Sequence, residues 1–183
     1  MRFKVVEEEI PYTGKELRGG WVLNVTGLEG EAAAGFLGPC DVKNEDLVDM
    51  DDARAGAFIK SELMAHVIAE HPGCDLANAV LRQRLLVCLL CEILGQRGHR
   101  VSRKGDDVFY EKRKLTVSIA APSPRSALIH LGINVRPAGA PVPAVGLEEI
   151  GEDAAGLLSE LLTRYRDEIE STDYAATKVR PVD

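Results

Sequence analysis

The amino-acid sequence predicts an α+β fold, a mixed, mainly antiparallel sheet packed by helices. Three observations predict it. Residues 114–121 and 127–135 alternate apolar and polar side chains, as half-buried strands do. The strand segments are joined by short turns such as Pro122-Ser123-Pro124-Arg125, which suits hairpins rather than crossover helices. Residues 75–94 form one long helical segment, apolar nearly all round from Leu85 to Cys91, as a central buried helix must be.

At 183 residues the chain is most simply one domain, 1–183, long enough to bury a sizeable core. A hydrophobic content of 45% and a charged content of 28% fit a soluble globular protein. The net charge of −7 argues against broad, sequence-independent nucleic-acid binding, which needs a basic surface. No apolar run approaches the roughly 18 residues of a membrane span. Residues 1–9 lack the apolar segment of a signal peptide, so the expectation is a cytoplasmic protein without a membrane partner.

In chain order, residues 3–10 read as a strand, followed by the turn Tyr12-Thr13-Gly14. Residues 21–25 read as a second strand and 31–37 as a third, weakened by alanine. Residues 44–52 are acidic. Residues 61–70 read as a helix, with Ser61 as N-cap and Leu63, Met64, Val67 and Ile68 as its stripe. Asp75 caps the long helix, which ends at Gly95. Short strands follow at 99–103 and 108–110, with Gly105-Asp106 as the turn between them. Residues 137–143, rich in Pro, are extended and suit a cover over a site. Glu152 or Asp153 opens a last helix, with Leu158, Leu161, Leu162 and Tyr165 toward the core, and the tail from Ser171 is expected to be only partly ordered.

Several residues carry possible chemistry. If the two alternating strands pair with their apolar faces together, Lys114, Thr116, Ser118, His130 and Asn134 share one surface, and Gly132 leaves a gap for a ligand. The wet side of a sheet presents the same pattern. Asp106-Asp107 fits both turn chemistry and a magnesium site, since Mg²⁺ prefers oxygen ligands. Arg54, beside Gly56, offers a rigid fork of donors to phosphate, or an ion pair to the acidic run before it. Arg82 and Arg84 mark the more polar end of the long helix. His66 and His71 lie five apart and do not form an i,i+4 ligand pair. Cys88 and Cys91 have no second ligand pair for zinc and read as small buried side chains. Cys40, in Gly38-Pro39-Cys40-Asp41, is a candidate nucleophile if a base stands near it.

The order Arg103-Lys104-Gly105-Asp106-Asp107, a short strand, Lys114-Leu115, then Gly132-Ile133-Asn134-Val135 resembles the core of biotin and lipoate protein ligases. The matching positions are Asp107, Lys114 and Gly132-Ile133-Asn134. The ligase Asn is here Asp106, and the glycine that follows Lys-Leu-Ala in ligases is absent from Lys114-Leu115-Thr116-Val117. The whole chain also resembles a prokaryotic domain-of-unknown-function family, number 366. The residues behind this are Tyr12-Thr13-Gly14-Lys15-Glu16-Leu17, Gly38-Pro39-Cys40-Asp41-Val42, Arg54-Ala55-Gly56-Ala57, Arg82-Gln83-Arg84 and Leu131-Gly132-Ile133-Asn134-Val135. Together these resemblances imply a biotin/lipoate ligase-like fold, related to class II aminoacyl-tRNA synthetases.

The family resemblance implies no settled activity; the ligase resemblance implies an acyl- or carboxylate-transferring enzyme using ATP and Mg, with an acyl-carrier-type protein as a candidate partner. Lys114 would then be catalytic, stabilising developing negative charge. Asp107 would hold magnesium or orient an amine. Ser118, His130, Gly132 and Asn134 would bind the substrate, and Arg54 and Arg103 its phosphate. The alternatives are a non-catalytic small-molecule- or partner-binding domain on the same fold, or an acyl-ester hydrolase of the editing type.

Overall fold

The structure, a computed structural model, describes residues 1–182. The elements run β1 (Arg2–Val5), α1 (Trp21–Thr26), β2 (Ala32–Val42), α2 (Met50–Arg54), β3 (Ile59–Pro72), α3 (Leu76–Gln96), β4 (Val101–Lys104), β5 (Asp107–Tyr110), β6 (Arg113–Lys114), β7 (Thr116–Pro122), β8 (Ser126–Arg136) and α4 (Ala154–Thr177). The main sheet has the order β1-β2-β3-β8-β7. Among the described residues only the edge pair β1–β2 of this sheet is parallel. Strands β4, β5 and β6 form a small second sheet.

Asp75 and Asp153 start the two long helices as caps. The Asp75 carboxylate accepts from the Asn78 N–H, and that of Asp153 from Ala155 and Gly156, satisfying donors that a helix start leaves without partners. Both helices cover the back of the main sheet. Leu86, Leu90 and Ile93 of α3 and Leu158, Leu161 and Tyr165 of α4 pack on Val67, Ile129, Leu131 and Ile133. Burying each such side chain contributes about 1.5–3 kcal/mol. The front of the sheet carries a smaller cluster, with Tyr12, Trp21, Phe36, Met64 and Ile68.

Two elements differ in type from the sequence expectation. Residues 59–72 are the central strand β3, not a helix from Ser61. A strand buried on both faces reads as a continuous apolar run, and this one happens to match helical spacing. Residues 21–26 are a short helix, not a strand, because Trp21 and Val22 dock together beside Phe36. Strand β1 is shorter than residues 3–10, and β2 extends on through Cys40 to Val42. The tail is helical to Thr177.

The pairing of β7 with β8 corrects the expected polar surface. Val117 lies opposite Gly132 and Ile119 opposite His130, whereas Ser118 lies opposite Leu131 and Thr116 opposite Ile133. Directly paired residues share a face. His130, Gly132 and Asn134 therefore share the front with Met64 and Val117, while Thr116 and Ser118 belong to the face toward α3. A one-residue shift of register exchanges faces in this way.

The segment after β1 presses on β2. Its Ile10 N–H donates to the Leu37 carbonyl and its Tyr12 N–H to the Pro39 carbonyl, each at 2.9 Å. At Gly38 a Cβ would stand 1.9 Å from the Ile10 carbonyl oxygen, so only glycine permits this approach. The result is to set Tyr12 on the front of the sheet. Among the described residues no helix is long and apolar enough to cross a membrane.

Candidate functional site

A cleft of about 550 Å³ opens on the front of β3, β8 and β7. Met64, Val117 and Ile119 supply its apolar surface, residues 46–60 one wall, and Ala140, Pro141, Val142 and Ala144 another. The Pro-rich segment thus borders the site. It is held there because the Lys114 N–H donates to the Pro143 carbonyl and the Val145 N–H to the Lys114 carbonyl.

Lys114 lies in β6, where the chain turns from the small sheet toward the main one. Its Nζ is 2.9 Å from Asp107 Oδ1. The neighbouring Asp106 is held on both oxygens: Arg84 donates to Oδ1 at 2.8 Å and Gln83 Nε2 to Oδ2 at 2.9 Å. Burial pushes the Asp106 carboxyl up from its ordinary range, against the pull of Arg84. Gln83 also donates to Ser118 Oγ, which in turn donates to the His130 carbonyl at 2.9 Å. This buried glutamine ties α3 to the small sheet and to β8.

Deeper in the cleft, Tyr12 stacks on His130 with ring centroids 3.9 Å apart and planes 8° from parallel. His130 Nε2 is 3.1 Å from His66 Nδ1, and His66 Nε2 donates to the Gly38 carbonyl at 3.2 Å. Burial pushes His66 down to about 4 and His130 well below the usual imidazole range, so both are neutral near pH 7. Asn134 Nδ2 donates to the Lys114 carbonyl at 3.3 Å.

Of the residues picked out from sequence, Lys114, Asp107, His130 and Asn134 line the cleft, and Ser118 borders it with its hydroxyl turned to Gln83 and the His130 carbonyl. Three others do not line it. A Cβ on Gly132 would meet Met64 Cε at 2.9 Å and Val117 Cγ2 at 3.1 Å, so neighbouring side chains already fill that gap. Arg54 is exposed and paired with Asp51 at 3.1 Å. Arg103 turns to the Gly105 carbonyl, outside the cleft. Cys40 is in a strand, 1% exposed, and burial pushes its thiol up to about 12, which removes it as a nucleophile. Tyr12, His66 and Gln83 were missed as parts of the site, and no local pattern marks them. They meet through pairing between distant strands and through docking of α3.

Among the described residues there is no group of three or more His, Cys, Asp or Glu placed to hold a metal. Asp106 is closed to one by Arg84 and Gln83. Asp107 offers a single carboxylate, with one oxygen on Lys114.

A family model described as Domain of unknown function (DUF366) matches residues 1–180. An uncharacterized protein of Methanocaldococcus jannaschii is 34% identical over 184 residues, 97% of this chain and 83% of that one. A solved protein of unknown function from Pyrococcus horikoshi is 36% identical with a TM-score of 0.92, covering 99% of this chain and 100% of that one. The biotin protein ligase from Aquifex aeolicus in complex with biotin and ATP has a TM-score of 0.56 at 14% identity, over 91% of this chain and 70% of that one. A lipoate-protein ligase A bound with ATP has a TM-score of 0.53 at 13% identity, over 92% and 85%. At these identities the ligase likeness is one of fold. The chain belongs to the DUF366 family, and its fold is that of the biotin and lipoate protein ligases.

Proposed function

We propose that the protein binds a small carboxylic acid or acyl-bearing molecule in the front cleft and transfers its acyl group, using ATP and magnesium, as a cytoplasmic enzyme. The observation that carries this reading is the position of Lys114. Its ammonium, held by Asp107, lines the same cleft as the apolar side chains of Met64, Val117 and Ile119. An apolar pocket with a few convergent polar groups is how small-molecule sites are built. A fixed ammonium at its edge stabilises charge developing on an acyl carbonyl oxygen or on a departing phosphate.

Magnesium would supply charge neutralisation for nucleotide phosphates. The residues fit an ion brought in with a nucleotide, because Mg²⁺ commonly takes one or two carboxylates and otherwise phosphates and water. Asp107 is the carboxylate for it, and Lys114 and Lys60 are the cleft's cations for phosphate. The acceptor of the acyl group would be an amine, such as a lysine of an acyl-carrier-type protein domain.

A second reading, a binding domain without catalysis, is favoured by one observation. Among the described residues no arginine lines the cleft, and both arginines expected to contact phosphate lie outside it.

Thermal unfolding with ATP–Mg, biotin, lipoate, octanoate and amino acids, singly and in pairs, separates the two. A ligand at about a hundred times its Kd stabilises by roughly 2.7 kcal/mol. The expected result is a shift with ATP–Mg that grows with one acid and disappears in Lys114→Ala, which itself folds normally. No ATP shift in any pairing sinks acyl activation and leaves the binding domain, in which Lys114→Ala alters affinity alone.

A further inference from the structure

The deep part of the cleft contains three polar side-chain atoms without a partner among the described residues. Hydrogen-bond direction fixes two of them. The Gly38 carbonyl can only accept, so His66 Nε2 carries the hydrogen and neutral His66 presents Nδ1 as an acceptor. His130 Nε2 must then donate to it, which leaves His130 Nδ1 bare. The Lys114 carbonyl likewise selects the Asn134 nitrogen as donor and leaves Asn134 Oδ1 an acceptor. The Tyr12 hydroxyl is the third atom. These residues are only 3%, 5% and 4% exposed, respectively. Yet among the described residues no fully enclosed side-chain nitrogen or oxygen lacks a partner. The three atoms therefore reach open space, and the cleft is the space all three residues line.

Two of these atoms are committed acceptors, and neither is charged. A buried polar group left without a partner is costly, so an occupant that cannot satisfy them is penalised. We infer that the inner end of the ligand carries a hydrogen-bond donor, an O–H or N–H as in an alcohol, amide, urea or amine, received by His130 Nδ1 and Asn134 Oδ1. A purely hydrocarbon acyl chain does not suit this end of the cleft. The assignment deepens the acyl-binding reading and rests on it for the position of the carboxylate, though not for the donor requirement.

The test uses the full chain labelled with ¹⁵N-histidine. Long-range ¹H–¹⁵N spectra at pH 7 should show His130 neutral, protonated at Nε2 and bare at Nδ1. An imidazolium or the opposite tautomer overturns the assignment. Acetamide should move the Nδ1 resonance, whereas N,N-dimethylacetamide at equal concentration, which has no donor, should not. Equal movement, or none, overturns it. Calorimetry then compares 8-hydroxyoctanoate with octanoate and 7-oxooctanoate. The donor-bearing acid should bind at least about tenfold tighter, the scale of one well-made hydrogen bond. His130→Phe should lose that preference while keeping the ring stacked on Tyr12. If octanoate equals 8-hydroxyoctanoate, the donor assignment falls and the acyl-binding reading stands. If no acid binds while acetamide alone moves the resonance, the acyl-binding reading falls and the donor assignment stands.

Discussion

His66 and His71 lie on one strand, five residues apart and so on opposite faces of the sheet, and their surroundings are built differently. His71, fully buried toward α4, is closed on both nitrogens. Nε2 meets the Tyr165 hydroxyl at 2.9 Å, and Nδ1 lies 2.9 Å from Glu31 and 2.7 Å from Arg82. Glu31 and Arg82 pair with each other, and the N-terminal ammonium stands 4.0 Å from Glu31. On the front, no carboxylate among the described residues is hydrogen-bonded to His66 or His130. Their chain runs from the Gly38 carbonyl through two neutral rings and ends in an acceptor with no protein partner. A closed network with charges of both signs locks the end of the sheet to α3 and α4. An open, neutral chain that ends at a cleft is left ready for something from outside. Burial alone does not distinguish the two. The last unfilled hydrogen bond does.

The largest expected effect is a separation of the two clusters by pH. His66 is pushed by burial to about 4, while the unfolded chain titrates near 6.5. The unfolded state therefore takes up the proton first, so this contribution is whole above pH 6.5 and lost as pH falls toward 4. The hydrogen bond from His71, with Arg82 beside it, holds Glu31 at about 2 against an ordinary 4.5. That contribution is whole above pH 4.5 and lost as pH falls toward 2. At about 1.4 kcal/mol per pKa unit, the histidine window is worth ~3 kcal/mol. The Glu31 side chain is 25% exposed, and solvent screening brings its window down to about 2 kcal/mol. Urea unfolding across pH 2–8 should show two successive declines. His66→Phe should shrink the upper one, the remainder belonging to His130, whose burial also disfavours its charged form, and Glu31→Gln should flatten the lower. A single decline insensitive to either substitution would break the comparison.

A smaller effect sharpens it at one atom on each side. Tyr165 and Tyr12 are both buried tyrosines in contact with buried histidine rings. Removing the Tyr165 hydroxyl leaves His71 Nε2 unpaired, so Tyr165→Phe should cost about 1–2 kcal/mol. Among the described residues the Tyr12 hydroxyl has no hydrogen-bond partner, so Tyr12→Phe should change stability by less than about 0.5 kcal/mol. The urea midpoints of the two variants, at unchanged slope, read this directly. Equal losses would mean that the Tyr12 hydroxyl is satisfied inside the protein and that the front is closed as well.

How far the sequence revealed these features follows from the range of the interactions. Strands β7 and β8 and helix α3 with its Asp75 cap are legible because their signals are local: alternation, a capping residue, a long apolar run. The type of β3 is not, since a doubly buried strand loses its alternation and Leu63, Met64, Val67 and Ile68 imitate a helical stripe. Lys114, Asp107, His130 and Asn134 were identifiable as candidates, but their neighbours were not. The stack of Tyr12 on His130 joins residues more than a hundred positions apart, and Gln83 reaches Ser118 only because α3 packs behind β7. The polar surface read from alternation put Ser118 beside His130. The register that separates them is set by how Thr116–Pro122 pairs with β8, and periodicity within either strand does not report it.

The smallest effect concerns the arginines. Arg54 sits at the end of a five-residue helix, with its side chain 69% exposed and its partner Asp51 92% exposed. Exposed pairs of this kind contribute less than about 1 kcal/mol, so Arg54→Ala should leave stability within roughly 0.5 kcal/mol of wild type. It should also leave ATP–Mg affinity unchanged, because Arg54 does not line the cleft, and the same holds for Arg103→Ala. Calorimetry with ATP–Mg on both variants checks this against Lys114→Ala, which removes a cleft cation. A loss of nucleotide affinity in Arg54→Ala alone would mean that the segment 50–57 moves over the cleft when nucleotide arrives. The front of the sheet would then differ from the back in mobility as well as in its unfilled acceptors.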